Sequence, residues 1–294
     1  MTARYQAVWA GRRPRPAGYH RAHDSLFEPE VQLAVPYAKA ADGVRIAYQV
    51  SGAGDPLILL AGQANNHHWW DGIRDDFDAT RRTVTLDWRG TGDSDRPDTP
   101  YSTTGFADDV IAVLDDAGIA RADVYGTSMG GRVAQWLAVR HPDRVGALVL
   151  GCTSPGGAHG LERSEDVKRS LAQRDPAAAR QALLELMYTP AWLATEPGPF
   201  NTLGDPAMPP YAQRWHRVAS AQHDAWDALP HIRSRTLVVH GTDDIFNPTA
   251  NAPLIADRIP GALLHLIPGA RHAYFDEFRS VATPLVLNFL NAGS

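Results

Sequence analysis

The sequence predicts an α/β fold in which a mostly parallel central sheet is flanked by helices and a helical segment is inserted before the late strands. Three observations carry this reading. From about residue 33, short runs rich in Val, Ile and Leu alternate with helical stretches, the pattern of parallel strands joined by crossover helices. Several of these runs are apolar on both alternating sets of positions, as strands covered on both faces must be. The interval 153–232 breaks the rhythm with helical stretches and no convincing strand.

At 294 residues, one core with an insertion is the natural domain count for an α/β chain. Hydrophobic residues make up 44% and charged residues 21%, a balance able to bury a core large enough to offset chain entropy. Residues 1–30 stand apart as an Arg- and Pro-rich arm without a clear period. The core is expected over 31–152 and 233–294, with a helical cap over 153–232.

The runs read as strands are Val44–Val50, Leu57–Ala61, Thr83–Asp87, Ala122–Tyr125, Ala147–Leu150, Thr236–His240 and Leu263–Ile267. An earlier strand near Leu33–Ala38 is expected to pair with the first of these through a hairpin at Asp42-Gly43. Within the cap, helices are expected over Val167–Arg174, Ala177–Tyr188 and Tyr211–Ala228, with an irregular middle marked by Pro197, Pro199, Pro206, Pro209 and Pro210.

A formal net charge of -5 supplies no basic field for displacing counterions from phosphates, so nucleic acid is not an expected partner. No window reaches the roughly 18 apolar residues that cross a bilayer, and no membrane association is expected. The single cysteine, Cys152, forms neither an intrachain disulfide nor a zinc framework, which suits a reducing, cytoplasmic setting.

Chemistry concentrates in Ala122-Asp-Val-Tyr-Gly-Thr-Ser-Met-Gly-Gly131, where a short strand runs into a G-x-S-x-G turn and then a helix. A serine on so tight a turn needs neighbours without side chains where backbones crowd, and Gly126, Gly130 and Gly131 meet that need. The helix that follows aims its free N–H groups at the serine and stabilises a developing oxyanion. Ser128 is the candidate nucleophile. A serine hydroxyl also requires a base held in the right tautomer by a carboxylate. Two late strands run into Gly241-Thr-Asp-Asp244 and Pro268-Gly-Ala-Arg-His272, where the open-sheet rule places active sites. His272 is therefore the candidate base, and Asp243 and Asp244 both qualify as the acid. His265 lies inside a strand, where packing in the core or on a sheet face is its expected role.

With Leu60-Ala-Gly-Gln63, Asp87-Trp-Arg-Gly-Thr-Gly-Asp-Ser94, the Ser128 turn, His240-Gly-Thr-Asp-Asp244 and Pro268-Gly-Ala-Arg-His272 in this chain order, the sequence resembles the α/β-hydrolase superfamily over about residues 35–292. The likeness is to its capped esterase, lactonase and carbon-carbon hydrolase branch. The resemblance implies the α/β-hydrolase fold, selects Asp244 as the acid, and makes the backbone N–H groups of Met129 and Gln63 the oxyanion hole. Many relatives carry His-Gly where this chain has Ala61-Gly62, a departure that leaves the backbone role intact. The implied reaction is a two-step acyl transfer to water on an ester or lactone of a small, largely apolar molecule, with no cofactor and no metal. Carbon-carbon cleavage of a diketone-like ring-cleavage product uses the same side chains. A ligand receptor, or a cofactor-free oxygenase or cyclase, is compatible with the same sequence.

Candidate pocket residues are Trp69, Trp192 and Trp215, since aromatic rings suit a cleft for an apolar group. The pair His67-His68 is not read as a metal site, because adjacent helical residues share no face and no carboxylate spacing completes a ligand set. Arg89-Gly90-Thr91-Gly92 lacks the lysine of a phosphate loop and reads as a tight turn after a strand.

Overall fold

A computed structural model describes residues 35–292. The arm expected over 1–30, and the start of the strand expected from Leu33, lie outside the described residues. Eight strands form one sheet: β1 Tyr37–Lys39, β2 Arg45–Ser51, β3 Asp55–Leu60, β4 Arg81–Leu86, β5 Ala122–Thr127, β6 Val145–Gly151, β7 Thr236–Gly241 and β8 Leu263–Ile267. Their spatial order is β1-β2-β4-β3-β5-β6-β7-β8. The β1–β2 and β2–β4 pairs are antiparallel, and every later pair is parallel.

Ten α-helices complete the described chain: α1 Arg74–Asp78, α2 Thr103–Asp116, α3 Met129–Arg140, α4 Glu165–Leu171, α5 Pro176–Met187, α6 Pro190–Thr195, α7 Pro210–Ala221, α8 Asn251–Arg258, α9 Tyr274–Glu277 and α10 Arg279–Asn291. Because strand side chains alternate, β3 feeds two cores. Ile58 and Leu60 pack with Phe106 and Val110 of α2 and Val133 and Leu137 of α3. Leu57 and Leu59 pack on the other face with Phe77 of α1, Phe275 of α9 and Val286 of α10. Each such side chain, once buried, stabilises the fold by about 1.5–3 kcal/mol.

The seven strand runs beginning at Val44 all recur as strands, shifted by at most two residues at an end. The hairpin forms as well, with Gly43 at φ +88° donating its N–H to the Ala40 carbonyl at 2.9 Å. Four helices, α4 to α7, lie between β6 and β7, with one isolated β-bridge between Gly156 and Asp224.

Three details differ from expectation. The helix expected over Tyr211–Ala228 stops at Ala221, because the chain turns there to bond with 155–157: Gly157 N–H donates to the His223 carbonyl and Ala225 N–H to the Pro155 carbonyl. That tertiary pairing overrides the helical period. Helix α6 was unforeseen, though its start is local: Thr189 accepts the Trp192 N–H on its side chain, and Pro190 follows at the first helical position. His265 is exposed rather than packed, because β8 is the edge strand and four of its five residues are exposed.

Candidate active site

Ser128 joins β5 to α3 with φ 55° and ψ -119°, a backbone region that side-chain-bearing residues adopt only when their surroundings impose it. A Cβ on Gly126 would lie 2.4 Å from the Gly130 carbonyl oxygen, and one on Gly130 would lie 2.1 Å from the Leu60 carbonyl oxygen. Only hydrogen fits at either place. The turn is held from outside as well: Ser128 N–H donates to the Gly151 carbonyl at 2.9 Å, and the Ser128 carbonyl accepts the Thr153 hydroxyl at 2.7 Å.

At the ends of β7 and β8 stand Asp244 and His272. His272 Nδ1 lies 2.7 Å from Asp244 Oδ2, and both residues are buried. Asp243 is exposed and accepts the Thr242 hydroxyl at 2.8 Å, so the structure sets Asp244 and not Asp243 against the imidazole. Burial pushes the Asp244 carboxyl upward, but the His272 charge and hydrogen bonds from His240 and His272 outweigh it and hold the group well below the usual carboxylate range. The ionised carboxylate accepts at Nδ1, which leaves His272 Nε2 free to act as a base. That nitrogen is buried without a hydrogen-bond partner among the described residues. No hydrogen bond joins it to Ser128 Oγ, yet both residues line one cavity of about 200 Å³.

Gln63 and Met129 line the same cavity, and their backbone N–H groups have no partner among the described residues. The Gln63 loop is fixed through its neighbours. Ala64, at φ 60°, donates its N–H to His216 Nδ1 at 3.2 Å, and its carbonyl accepts the Asp205 N–H at 2.7 Å. Trp69 also lines the cavity, with its indole N–H on Thr127 Oγ1 at 2.9 Å.

The other two pocket tryptophans do not reach this cavity. Trp192 stacks on Tyr188 at 6.4 Å and borders an outer cleft beside Gly72 and Asp276. Trp215 donates to Asp98 Oδ1 at 2.8 Å and lies under the Arg214 guanidinium. Each ring instead packs against the edge of a core cluster, Trp192 on one sheet face and Trp215 on the other. His67 Nδ1 sits 2.7 Å from Asp87 Oδ1, whose partner oxygen accepts the Asp93 N–H. The pair thus ties the turn after β4 to the stretch before α1.

Sequence reasoning overlooked several cavity residues, among them Arg132, Arg163, Phe246 and Asn247. For Arg132 a signal existed, since it lies four residues after Ser128 and so one helical turn away on the same face. Arg163, in an irregular stretch before α4, carried none. His240, buried beside Asp244, stands in the quoted motif four residues ahead of the acid.

An eight-stranded α/β sheet with a strained serine after β5, a carboxylate after β7 and a buried histidine after β8 defines the class of protein: the chain belongs to the alpha/beta hydrolase fold family, whose sequence model matches residues 55–278. The chain is 32% identical over 267 residues to the 2-hydroxymuconate semialdehyde hydrolase of Pseudomonas sp. (strain CF600), covering 85% of this chain and 92% of that one. Among solved structures, a hydrolase from Pseudomonas aeruginosa PA01 superposes with a TM-score of 0.77 at 29% identity, covering 88% of this chain and 99% of that one. Est816, described as an N-acyl homoserine lactone degrading enzyme, superposes with a TM-score of 0.73 at 30% identity, covering 86% and 100% of the two chains.

Proposed function

We propose that the protein is a serine hydrolase that cleaves a carboxylic ester or lactone of a small molecule through an acyl-enzyme. The observation that supports this most directly is the 2.7 Å contact between Asp244 and His272, which leaves His272 Nε2 unpartnered in the cavity that Ser128 lines. In this reading His272 Nε2 takes the proton of Ser128 as Oγ attacks the carbonyl carbon. The Gln63 and Met129 N–H groups hold the oxyanion. His272 then protonates the leaving oxygen, and water, deprotonated by the same imidazole, attacks the acyl-enzyme and regenerates Ser128. These steps call for no metal or cofactor. The segment 153–232 acts as the cap, contributing Leu183, Met187 and Leu203 as an apolar wall.

A fluorophosphonate probe tests the nucleophile. Wild-type protein is expected to label and Ser128→Ala is not; a folded wild type that stays unlabelled points instead to a ligand receptor or to other chemistry. Carbon-carbon hydrolysis is the second reading, favoured by the semialdehyde hydrolase relative at 32% identity. Comparing turnover of a simple aryl ester with that of a vinylogous diketone decides between them.

A further inference from the structure

The cavity that Ser128 and His272 line is also lined by two arginines, Arg132 and Arg163. Arg132 lies one helical turn past the serine, with its backbone N–H on the Ser128 carbonyl at 3.3 Å. Its Nη1 donates to the Ser220 carbonyl at the end of α7, and its Nε and Nη2 bond to nothing among the described residues. Arg163 makes no hydrogen bond there either. Its guanidinium lies 4.1 Å over the Phe246 ring, and that ring meets His272 edge-on at 4.8 Å. Neither arginine forms an ion pair among the described residues. The carboxylates whose charge reaches them are Glu162, which is exposed, and Asp244, whose oxygens are already bonded to His240, His272, Phe246 and Asn247.

The approach to the cavity repeats the pattern. An outer hollow of about 790 Å³ shares Gln63, Leu183 and Leu203 with the inner cavity and adds the exposed Arg180 and Arg217, also without ion pairs among the described residues. The one acidic side chain of that hollow, Asp205, is engaged by the Gly92 and Ala207 N–H groups. On a chain of net charge -5, four arginines with no ion pair among the described residues line one path to the candidate nucleophile and form a local positive funnel of the kind that draws anions inward.

We infer that Arg132 and Arg163 form a carboxylate-binding subsite, so that the molecule hydrolysed carries a free carboxylate beside its scissile ester or lactone. This inference rests on the hydrolase reading above and narrows its substrate class. Two like charges in a cavity with no carboxylate bonded to either among the described residues are unfavourable, and an incoming carboxylate relieves both their desolvation and their mutual repulsion. The planar guanidinium fork matches a carboxylate in two-point hydrogen bonding. The inner volume of about 200 Å³ favours a compact dicarboxylate half-ester or carboxylated lactone over a bulkier phosphorylated molecule. Burial pushes the Arg132 pKa down to about 10, which leaves it charged near neutral pH.

The test compares mono(para-nitrophenyl) glutarate with para-nitrophenyl pentanoate, in which a methyl group replaces the carboxylate. Wild type is expected to favour the anionic ester in kcat/KM by about tenfold or more, and Arg132→Gln and Arg163→Gln each to reduce that preference by about 10- to 100-fold, the range for a charge-assisted hydrogen bond. Arg163→Lys is expected to recover part of it, and melting temperatures show whether each variant is folded. Equal turnover of the two esters by wild type, or a preference that survives in both glutamine variants, overturns the inference. Glutarate binding to Ser128→Ala protein, measured by calorimetry with and without Arg163→Gln, is independent of chemistry. Binding that needs Arg163 in a protein that fluorophosphonate never labels retains the subsite and discards the hydrolase. Labelling without glutarate binding does the reverse.

Discussion

Asp244 Oδ2 is shared by two histidines, with His272 Nδ1 at 2.7 Å and His240 Nε2 at 3.1 Å. Its other oxygen accepts the Phe246 and Asn247 N–H groups, both at 2.9 Å. Four donors on one carboxylate saturate its lone pairs and hold its pKa well below the usual carboxylate range. His240 Nε2 also faces the Asn247 carbonyl at 2.8 Å; with acceptors on both sides, that nitrogen carries the proton. Asp244 is thus braced from the sheet as well as from the loop. Asp244→Asn is expected to cut kcat by about 10⁴-fold, because an amide fails to impose the Nδ1–H tautomer on His272. Asp243→Asn, on an exposed side chain, is expected to leave kcat near wild type. Steady-state kinetics on an aryl ester measures both, and equal losses would show that the acid has been misassigned.

Gly130 carries the tightest steric demand of the turn. An alanine there sets its Cβ 2.1 Å from the Leu60 carbonyl oxygen and 2.8 Å from that of Ala61, and both obstacles are backbone of the strand leading to Gln63. The loop must retreat, taking with it the Gln63 N–H proposed as an oxyanion donor. Gly130→Ala is expected to destabilise the protein by about 1–3 kcal/mol, the usual range for overpacking, and to lower kcat by about 10²-fold or more through the displaced donor. Urea denaturation midpoints and kcat report the two effects separately. A stable, fully active variant would mean that the turn is not rigid.

These two predictions concern residues legible in the sequence, and for a local reason. The constraints on Gly126, Ser128 and Gly130 act among neighbours in the chain and on the strand beside them, so a ten-residue pattern states them. The runs of β7 and β8 were readable because Leu237-Val238-Val239 fills the middle of one and Leu or Ile takes four of the five places in the other. Which faces of β8 meet solvent was not readable, since exposure depends on what packs beyond the last strand, and nothing in Leu263–Ile267 records that. Arg132 and Arg163 escaped for a related reason. Cavity membership follows from how the stretch between β6 and β7 folds back, and there tertiary pairing of 155–157 with 223–225 overrode the helical period. Trp192 and Trp215 were misplaced by the same blind spot: periodicity finds helices but does not orient them over a sheet.

The tryptophans themselves separate the cavity from its surroundings. Trp69 is buried, lines the cavity, and its ring would meet a Cβ on Gly62 at 2.6 Å, so it helps shape the loop carrying Gln63. Trp69→Ala is expected to lose about 3–5 kcal/mol of stability, as for other buried aromatic truncations, and to depress kcat/KM as well. Trp215→Phe gives up a hydrogen bond to exposed Asp98 and part of a half-buried ring at the edge of the core, but no cavity lining, and is expected to leave kcat/KM within about twofold. Paired thermal melts and kinetics check the contrast; a large kcat/KM loss from Trp215→Phe would place that ring on the substrate path.

His216 links pH to the oxyanion loop. It is fully buried on α7, accepting the Ala64 N–H on Nδ1 at 3.2 Å and donating from Nε2 to the Arg89 carbonyl at 2.9 Å. That pairing fits only the neutral ring with its proton on Nε2. Burial pushes its pKa down from 6.5 to about 4, against a smaller upward pull from the Arg89 carbonyl. In the unfolded chain the ring titrates near 6.5, so as pH falls the unfolded state takes its proton first. Stability is therefore complete above about pH 6.5, declines down to about pH 4, and levels off below, with a total loss of roughly 3 kcal/mol from this group. His216→Gln keeps a donor and an acceptor but does not titrate. The stability difference between wild type and variant, from urea unfolding between pH 7 and pH 4, should shift by that amount against wild type. Because Ala64 follows Gln63 directly, protonating His216 removes the acceptor that holds the loop, so activity should fall over the lower part of the same interval. A stability difference that stays flat with pH would mean that the ring takes up its proton in the fold as readily as in the unfolded chain, and the link between His216 and the loop would have to be abandoned.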